Sequence, residues 1–166
     1  MKVLAIGNEA RTRKYLPDLA IARKADLVCA KRGTTDDMLL SLAADADVIV
    51  VDAISPVDDE LIASMPNLKL IHSEGVAFNA IDIASAKRHG VAVCNCAGVN
   101  AGAVAEQTVM LMLMCLRRAL EGDRAVRSGN QIRLKEQMMV EGFSELGDCT
   151  VGFVGFGAIA QATTRY

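Results

Sequence analysis

Residues 151–166 read VGFVGFGAIAQATTRY. Residues 151–154 have the apolar, β-branched character of a buried strand. The next six, Gly155-Phe156-Gly157-Ala158-Ile159-Ala160, form a G-x-G-x-x-A turn. Two glycines allow a tight turn and close approach of backbone to phosphate, and Ala160 is small enough for helix–strand packing. The helix that follows offers its free N–H groups to an anion. The chemistry implied is the grip on a dinucleotide pyrophosphate. The motif alone is a weak signal, but a strand before it and a helix after it are its required context. An ordinary glycine-rich βα turn is the alternative. The acid that would hold a ribose, expected ~20 residues further on, falls past Tyr166.

A second candidate is HSEGVAFNAID at 72–82, a polar loop after an apolar run. Its Gly75, Val76 and Ala77 backbone can present N–H groups to an anion, as nests do; the bland reading is a plain βα connection. His72 ends a strand without an evident carboxylate partner, and His89 sits where it compensates a helix dipole. Both read as structural. A third candidate is Asp52, at the end of DVIVVD, where a receiver-type domain keeps its phosphoacceptor. Such a site also needs a pair of acids after the first strand, and GNEA supplies Glu9 alone. Lys69 lies at the wrong strand end to bind phosphate, so this reading is disfavoured. The five cysteines are an odd set, mostly within apolar segments. Cys94 and Cys96 make a C-x-C with no second pair at metal-ligand spacing, so structural thiols are expected and no metal site.

Elements at regular spacing must position these residues. KVLAIG (2–7), DLVCAK (26–31), DVIVVD (47–52), LKLIHS (68–73) and VAVCN (91–95) read as strands. The third and fourth are continuously apolar, as strands buried on both faces are. Candidate helices lie near 9–23, 35–44, 57–64 and 80–89. For the third, Ser55 is the expected N-cap and Pro56 the first helical residue. The fourth ends KRHG, with Gly90 placed for a left-handed conformation. This alternation predicts an α/β fold, a doubly wound parallel sheet that binds ligands beyond the carboxyl ends of its strands.

A long helix is predicted over about 101–120, with a break near Gly122 and a shorter polar helix after it. From 108 to 116 it is apolar on every side, so more than one surface must cover it. Residues 130–148 read as an irregular or partly helical connection.

Composition narrows the function classes. The chain has 166 residues, is 52% hydrophobic and 4% aromatic, lacks Trp and carries a net charge of −2. That balance argues against nucleic acid or an acidic membrane as partner. The longest apolar run, 109–116, falls far short of the ~18 residues needed to span a bilayer. The N-terminus lacks the apolar stretch of a signal peptide. A cytoplasmic protein is expected.

Two segments together carry a resemblance. LKLIHSEGVAFNAIDIASAKRHGVAVCNCAGVNAGAVAEQTVMLMLMCLRR resembles the signature of the D-isomer-specific 2-hydroxyacid dehydrogenases, the family that includes phosphoglycerate dehydrogenase. ELGDCTVGFVGFGAIAQA is similar to that family's entry into its NAD-binding domain. The similarity covers about 45–164, with VNAGAVAEQT its most specific part. It implies a flavodoxin-like substrate domain over 1–99, a linker helix and dimerisation arm over 100–148, and the truncated start of a Rossmann domain over 149–166.

The resemblance implies further that backbone at Gly75, Val76 and Ala77 holds the substrate carboxylate, with Asn100 at the hinge beside the active site. It sets Gly155, Gly157, Ala158, Ile159 and Ala160 against the pyrophosphate of NAD, NADP not being excluded. The substrate would be a small D-2-hydroxy or 2-oxo acid, and the assembly a homodimer through the 101–120 helix and following arm. Ala77 and Asn79 stand where Gly and Asp are common, Gln107 where His is common, and Ala158 where Arg is common. The first two departures bear on substrate identity, and the last removes a charge near the phosphates. The family's catalytic Arg, Glu and His belong to its second half and have no counterpart here. The expectation is therefore the N-terminal part of an oxidoreductase, inactive alone, with truncation the favoured account. The alternative is a standalone homodimerising α/β module without catalysis.

Overall fold

The short β-branched runs pair into one sheet. In the computed structural model, which describes residues 1–16 and 24–166, five strands run parallel: β1 (Lys2–Gly7), β2 (Asp26–Lys31), β3 (Val48–Val51), β4 (Leu70–Ser73) and β5 (Ala92–Cys94). Their order is β2-β1-β3-β4-β5, the flavodoxin-like order with its switch point between β1 and β3. Ile6 is in register with Val51 and Val51 with Ser73. The carboxyl ends of the three central strands therefore finish level.

The chain forms two compact units, residues 1–97 and 98–166. In the first, the connections carry α1 (Glu9–Tyr15), α2 (Asp36–Ala43), α3 (Asp59–Ala63) and α4 (Ile83–Arg88). The remainder of the helix expected over 9–23 lies partly outside the described residues. Leu4, Ile49, Val51, Leu61, Ile62 and Ile71 are fully or almost fully buried. Removing each such side chain from water is worth about 1.5–3 kcal/mol, so the sheet and its helices share one apolar core.

The start of α3 differs from expectation. Asp58, not Ser55, is its N-cap, accepting from the Leu61 N–H at 3.0 Å. Val57 forms a parallel bridge with Ile81, and the Val57 N–H donates to the Ala80 carbonyl at 2.9 Å. That pairing holds the chain extended past Pro56, so the helix begins two residues after the bridge. In α4, Asp82 caps the Ser85 N–H at 2.8 Å, and Gly90 takes φ +72° as the KRHG ending predicts.

The second unit contains α5 (Ala101–Leu116), α6 (Ala119–Arg127), α7 (Gln131–Glu141), a 3-10 turn (Leu146–Asp148) and α8 (Ala158–Thr163). The long helix stops at Leu116, four residues early. The break lies at Arg118, which has φ +49°, and Gly122 sits inside α6. Arg118 is held there by Glu121 and by Glu141, whose carboxylate accepts from its Nη1 at 2.5 Å. The connection expected to be irregular or partly helical contains the helix α7, ended by Gly142 at φ +79°. The strand expected over 151–154 is absent. That segment finds no ladder partner among the described residues, and Val154 is fully exposed. Among the described residues, no helix is long and apolar enough to cross a membrane.

Candidate active site

In the first unit, the residues that directly follow three of the strands carry the polar chemistry. Arg32 follows β2, Asp52 follows β3 and Glu74 follows β4. The Asp52 N–H donates to the Ile6 carbonyl at 3.0 Å, which sets its side chain over Gly7. A Cβ on Gly7 would lie 3.2 Å from Asp52 Oδ2, so the absent side chain makes room for the carboxylate. Asp52 Oδ2 accepts from Arg32 Nε at 2.8 Å and pairs with its Nη2 at 2.7 Å. Its Oδ1 accepts from the N–H groups of Ile54 and Ser55 at 3.2 and 2.8 Å. Burial pushes the Asp52 carboxyl up, but Arg32, Ser55 and Ile54 together outweigh it and hold it below the usual carboxylate range. With both oxygens engaged and the side chain 7% exposed, Asp52 is a structural clamp and not a phosphoacceptor. Lys69 pairs with Asp47 at 2.8 Å, at the opposite end of the strands.

The loop after β4 is fixed from several directions. The Glu74 N–H donates to the Val51 carbonyl at 2.8 Å, and Arg11 of α1 pairs with the Glu74 carboxylate. Ser73, fully buried, donates its hydroxyl to the Ala77 carbonyl at 2.7 Å. The Cys96 N–H donates to the Gly75 carbonyl at 3.0 Å, and Asn95 Nδ2 to the Val76 carbonyl at 2.7 Å. A Cβ on Gly75 would lie 2.7 Å from that of Ala53, so only glycine fits at this position. The carbonyls of 75–77 are thus all engaged. The N–H groups of Val76 and Ala77 have no acceptor among the described residues, and both residues are exposed. Two free donors on a loop pinned by its carbonyls are the kind of group an anion accepts from.

In the second unit, Gly155 has φ +87°, the left-handed conformation that glycine takes at least cost. Gly157 is the N-cap of α8, and its carbonyl accepts from the Gln161 N–H at 3.0 Å. Ala158, Ile159 and Ala160 make the first turn, whose N–H groups have no partners within the helix. Nothing lies within 4 Å of where a Cβ would stand on Gly155 or Gly157. The turn therefore has the open, glycine-lined backbone that a pyrophosphate requires. Asn100 is the N-cap residue of α5 and is exposed. Its carbonyl accepts from Val104, while its side chain makes no cap bond.

The arrangement around His72 gave no signal in the sequence. His72 Nδ1 lies 3.0 Å from Cys94 Sγ, and its Nε2 lies 3.6 Å from Cys96 Sγ. Parallel pairing of β4 with β5 puts His72 in register with Cys94, a juxtaposition that spacing along one segment cannot reveal. The Arg32–Asp52 pair was equally hidden. Its only sequence signal is that each residue directly follows a strand. Among the described residues, no group of His, Cys, Asp and Glu is arranged to hold a metal ion.

Residues 3–165 match the family model described as D-isomer specific 2-hydroxyacid dehydrogenase, catalytic domain. The chain belongs to this family. Over 127 residues it is 36% identical to a glyoxylate reductase of Thermofilum pendens, covering 76% of this chain and 37% of that enzyme. It is 30% identical over 145 residues to a hydroxypyruvate reductase of Thermotoga maritima, covering 87% of this chain and 46% of that enzyme. The structure superposes on an NAD-dependent formate dehydrogenase from Staphylococcus aureus, solved in complex with NAD, with a TM-score of 0.74 and 29% identity. That match covers 99% of this chain and 51% of the other. The chain thus spans about half the length, or less, of the relatives it matches. The flavodoxin-like order of the sheet is the α/β architecture that the sequence rhythm predicts.

Proposed function

We propose that this chain is the substrate-side part of an NAD-dependent oxidoreductase acting on the CH–OH group of a small D-2-hydroxy acid, or on the 2-oxo acid in reverse. The observation that carries this reading is the pair of free N–H groups at Val76 and Ala77, on a loop whose carbonyls are all held. Together with Gly75, whose missing side chain admits the close approach of Ala53, they receive the substrate carboxylate. Asn100, the N-cap residue of α5, is the remaining residue of the proposed substrate-binding set. Relatives named for glyoxylate and hydroxypyruvate reduction support a small 2-oxo acid as substrate.

The cofactor-binding residues are Gly155, Gly157, Ala158, Ile159 and Ala160, whose backbone receives the pyrophosphate. NAD supplies hydride chemistry when bound, and NADP is the second possibility. In domain terms, 1–99 forms the substrate domain, 100–148 a linker helix and dimerisation arm, and 149–166 the opening of the cofactor domain. Five free cysteines suit a reducing, cytoplasmic setting. The exposed Met110, Leu111 and Leu113 on α5 support a homodimer through that helix. We further propose that these 166 residues are inactive alone, because none of them takes the catalytic Arg, Glu or His role of the family.

Titration of glyoxylate and hydroxypyruvate into the isotope-labelled chain tests the carboxylate reading. The Val76 and Ala77 amide resonances are expected to move, while those of α2 stay put. Unmoved loop amides at millimolar ligand would reject it. An assay of the same chain with NADH and either acid is expected to show no turnover, and measurable turnover would reject the inactivity.

A further inference from the structure

Three features lie outside the proposed carboxylate and pyrophosphate sites: the Arg32–Asp52 clamp, the apolar face of α5, and the thiol–imidazole–thiol array of Cys94, His72 and Cys96. The clamp is internally satisfied, and the helix face is accounted for by the proposed dimer. The array has no structural partner that explains it.

The geometry points to Cys94 as a modification site that takes low-molecular-weight disulfides, with His72 as its base. Cys94 is exposed on the edge strand β5, and its Sγ is 3.0 Å from His72 Nδ1, within reach for direct proton transfer. A neutral imidazole has one N–H and one lone pair. In the tautomer whose Nδ1 accepts from Cys94, the Nε2–H faces Cys96 Sγ at 3.6 Å, and the Nδ1 lone pair is the one that takes the proton. The two sulfurs lie against opposite ring nitrogens, which rules out their joint chelation of one ion together with the ring. The array is built for proton transfer.

A cavity of about 240 Å³ opens beside Cys94, lined by Phe78, Ile83, Val93 and Asn95. It is smaller than the ~300–1,000 Å³ of drug-sized sites, so it seats one small organic group of apolar character. In the step inferred, the Cys94 proton passes to His72 Nδ1 while the sulfur lone pair attacks one sulfur of the small disulfide. A new S–S bond forms to Cys94 and the old one breaks. The departing sulfur takes the bonding pair and then the proton from His72. Cys94 is oxidised to a mixed disulfide, and half of the reagent is reduced to a thiol.

The consequence reaches the loop after β4. Phe78 belongs to that loop and lines the cavity, while Asn95 and Cys96 beside Cys94 hold the Val76 and Gly75 carbonyls. A group seated in the cavity therefore sits against this loop. Neither the reaction nor this contact depends on the loop binding a carboxylate.

The test is incubation of the folded chain with hydroxyethyl disulfide, with each cysteine followed by peptide mass. Cys149 is also exposed, lies outside the helix and arm of the proposed dimer, and serves as internal reference. Cys94 is expected to react at least tenfold faster than Cys149, and the His72→Gln variant to lose that advantage. The advantage should also vanish in urea, a comparison that needs no variant to fold. Modification should shift the Val76 and Ala77 amide resonances. Equal rates for Cys94 and Cys149 in the native chain would overturn the inference, as would an advantage that survives in urea or in a folded His72→Gln protein.

Discussion

Asp52 joins the ends of β2 and β3 through one carboxylate, taking two guanidinium nitrogens of Arg32 and two backbone N–H groups beyond β3. Because its folded pKa is depressed, its stabilising contribution is fully present above the unfolded value near ~3.9 and lost as pH falls through the folded value. Asp52→Asn keeps one acceptor for Ser55 but gives up the charge. Arg32 is half exposed and recovers water, so the expected loss is only roughly 1–2 kcal/mol at pH 7. Urea denaturation at pH 7 and again below pH 3 checks this: the gap between parent and variant should narrow in acid, and a constant gap would contradict the assignment. Gly75 makes a sharper case. The sequence marks it as a loop glycine with free amides nearby, yet its constraint is the Ala53 side chain 2.7 Å from where a Cβ would stand. Gly75→Ala is expected to destabilise by about 1–3 kcal/mol, the usual range for overpacking, and to move the Val76 amide resonance. A neutral substitution would mean that the loop relaxes freely. That contact joins the ends of two strands, and no pattern within 72–82 could have announced it.

Elements were legible where periodicity and capping agree, and displaced where a tertiary contact outweighs local preference. All five strands of the sheet sit where apolar runs predict them, β1 and β2 over the full expected range and the other three trimmed by a residue or two. α3 starts later than Ser55 and Pro56 imply because the Val57–Ile81 bridge keeps that stretch extended. Asp58 then becomes the cap, and Asp58→Ala should cost about 1 kcal/mol in thermal or urea unfolding. Ser55→Ala tests the alternative cap, and a larger loss attributable to helix fraying there would reverse the assignment. The α5–α6 break was misplaced for a related reason. Gly122 is the obvious breaker, yet the turn is made by Arg118 with two carboxylates around it. For 151–154 the local sequence is that of a strand, but a strand exists only with a neighbour to bond.

At the scale of the molecule, the two units differ sharply in what they bury. Apart from Ala105 and Leu134, every buried apolar residue among those described lies within 1–97. The 98–166 unit leaves Leu113, Leu120, Val126, Ile132, Phe143 and Phe156 exposed. Exposed apolar surface on that scale marks an interaction face, and regions with few buried contacts open at low free-energy cost. Amide exchange should therefore be slowest in β1, β3 and β4 and fast throughout α6 and α7 when the chain is dilute. If a second copy covers α5, protection of residues 105–116 should rise as concentration is increased, in step with a doubling of mass by light scattering. Protection of β3 should not change, because its core is complete within one chain. Exchange in α5 that stays fast at all concentrations, with a constant monomer mass, would remove the homodimer from the functional proposal and leave this face to another partner. Equal protection of α7 and β3 in dilute protein would instead show that the helical unit is stable on far less buried surface than the sheet requires.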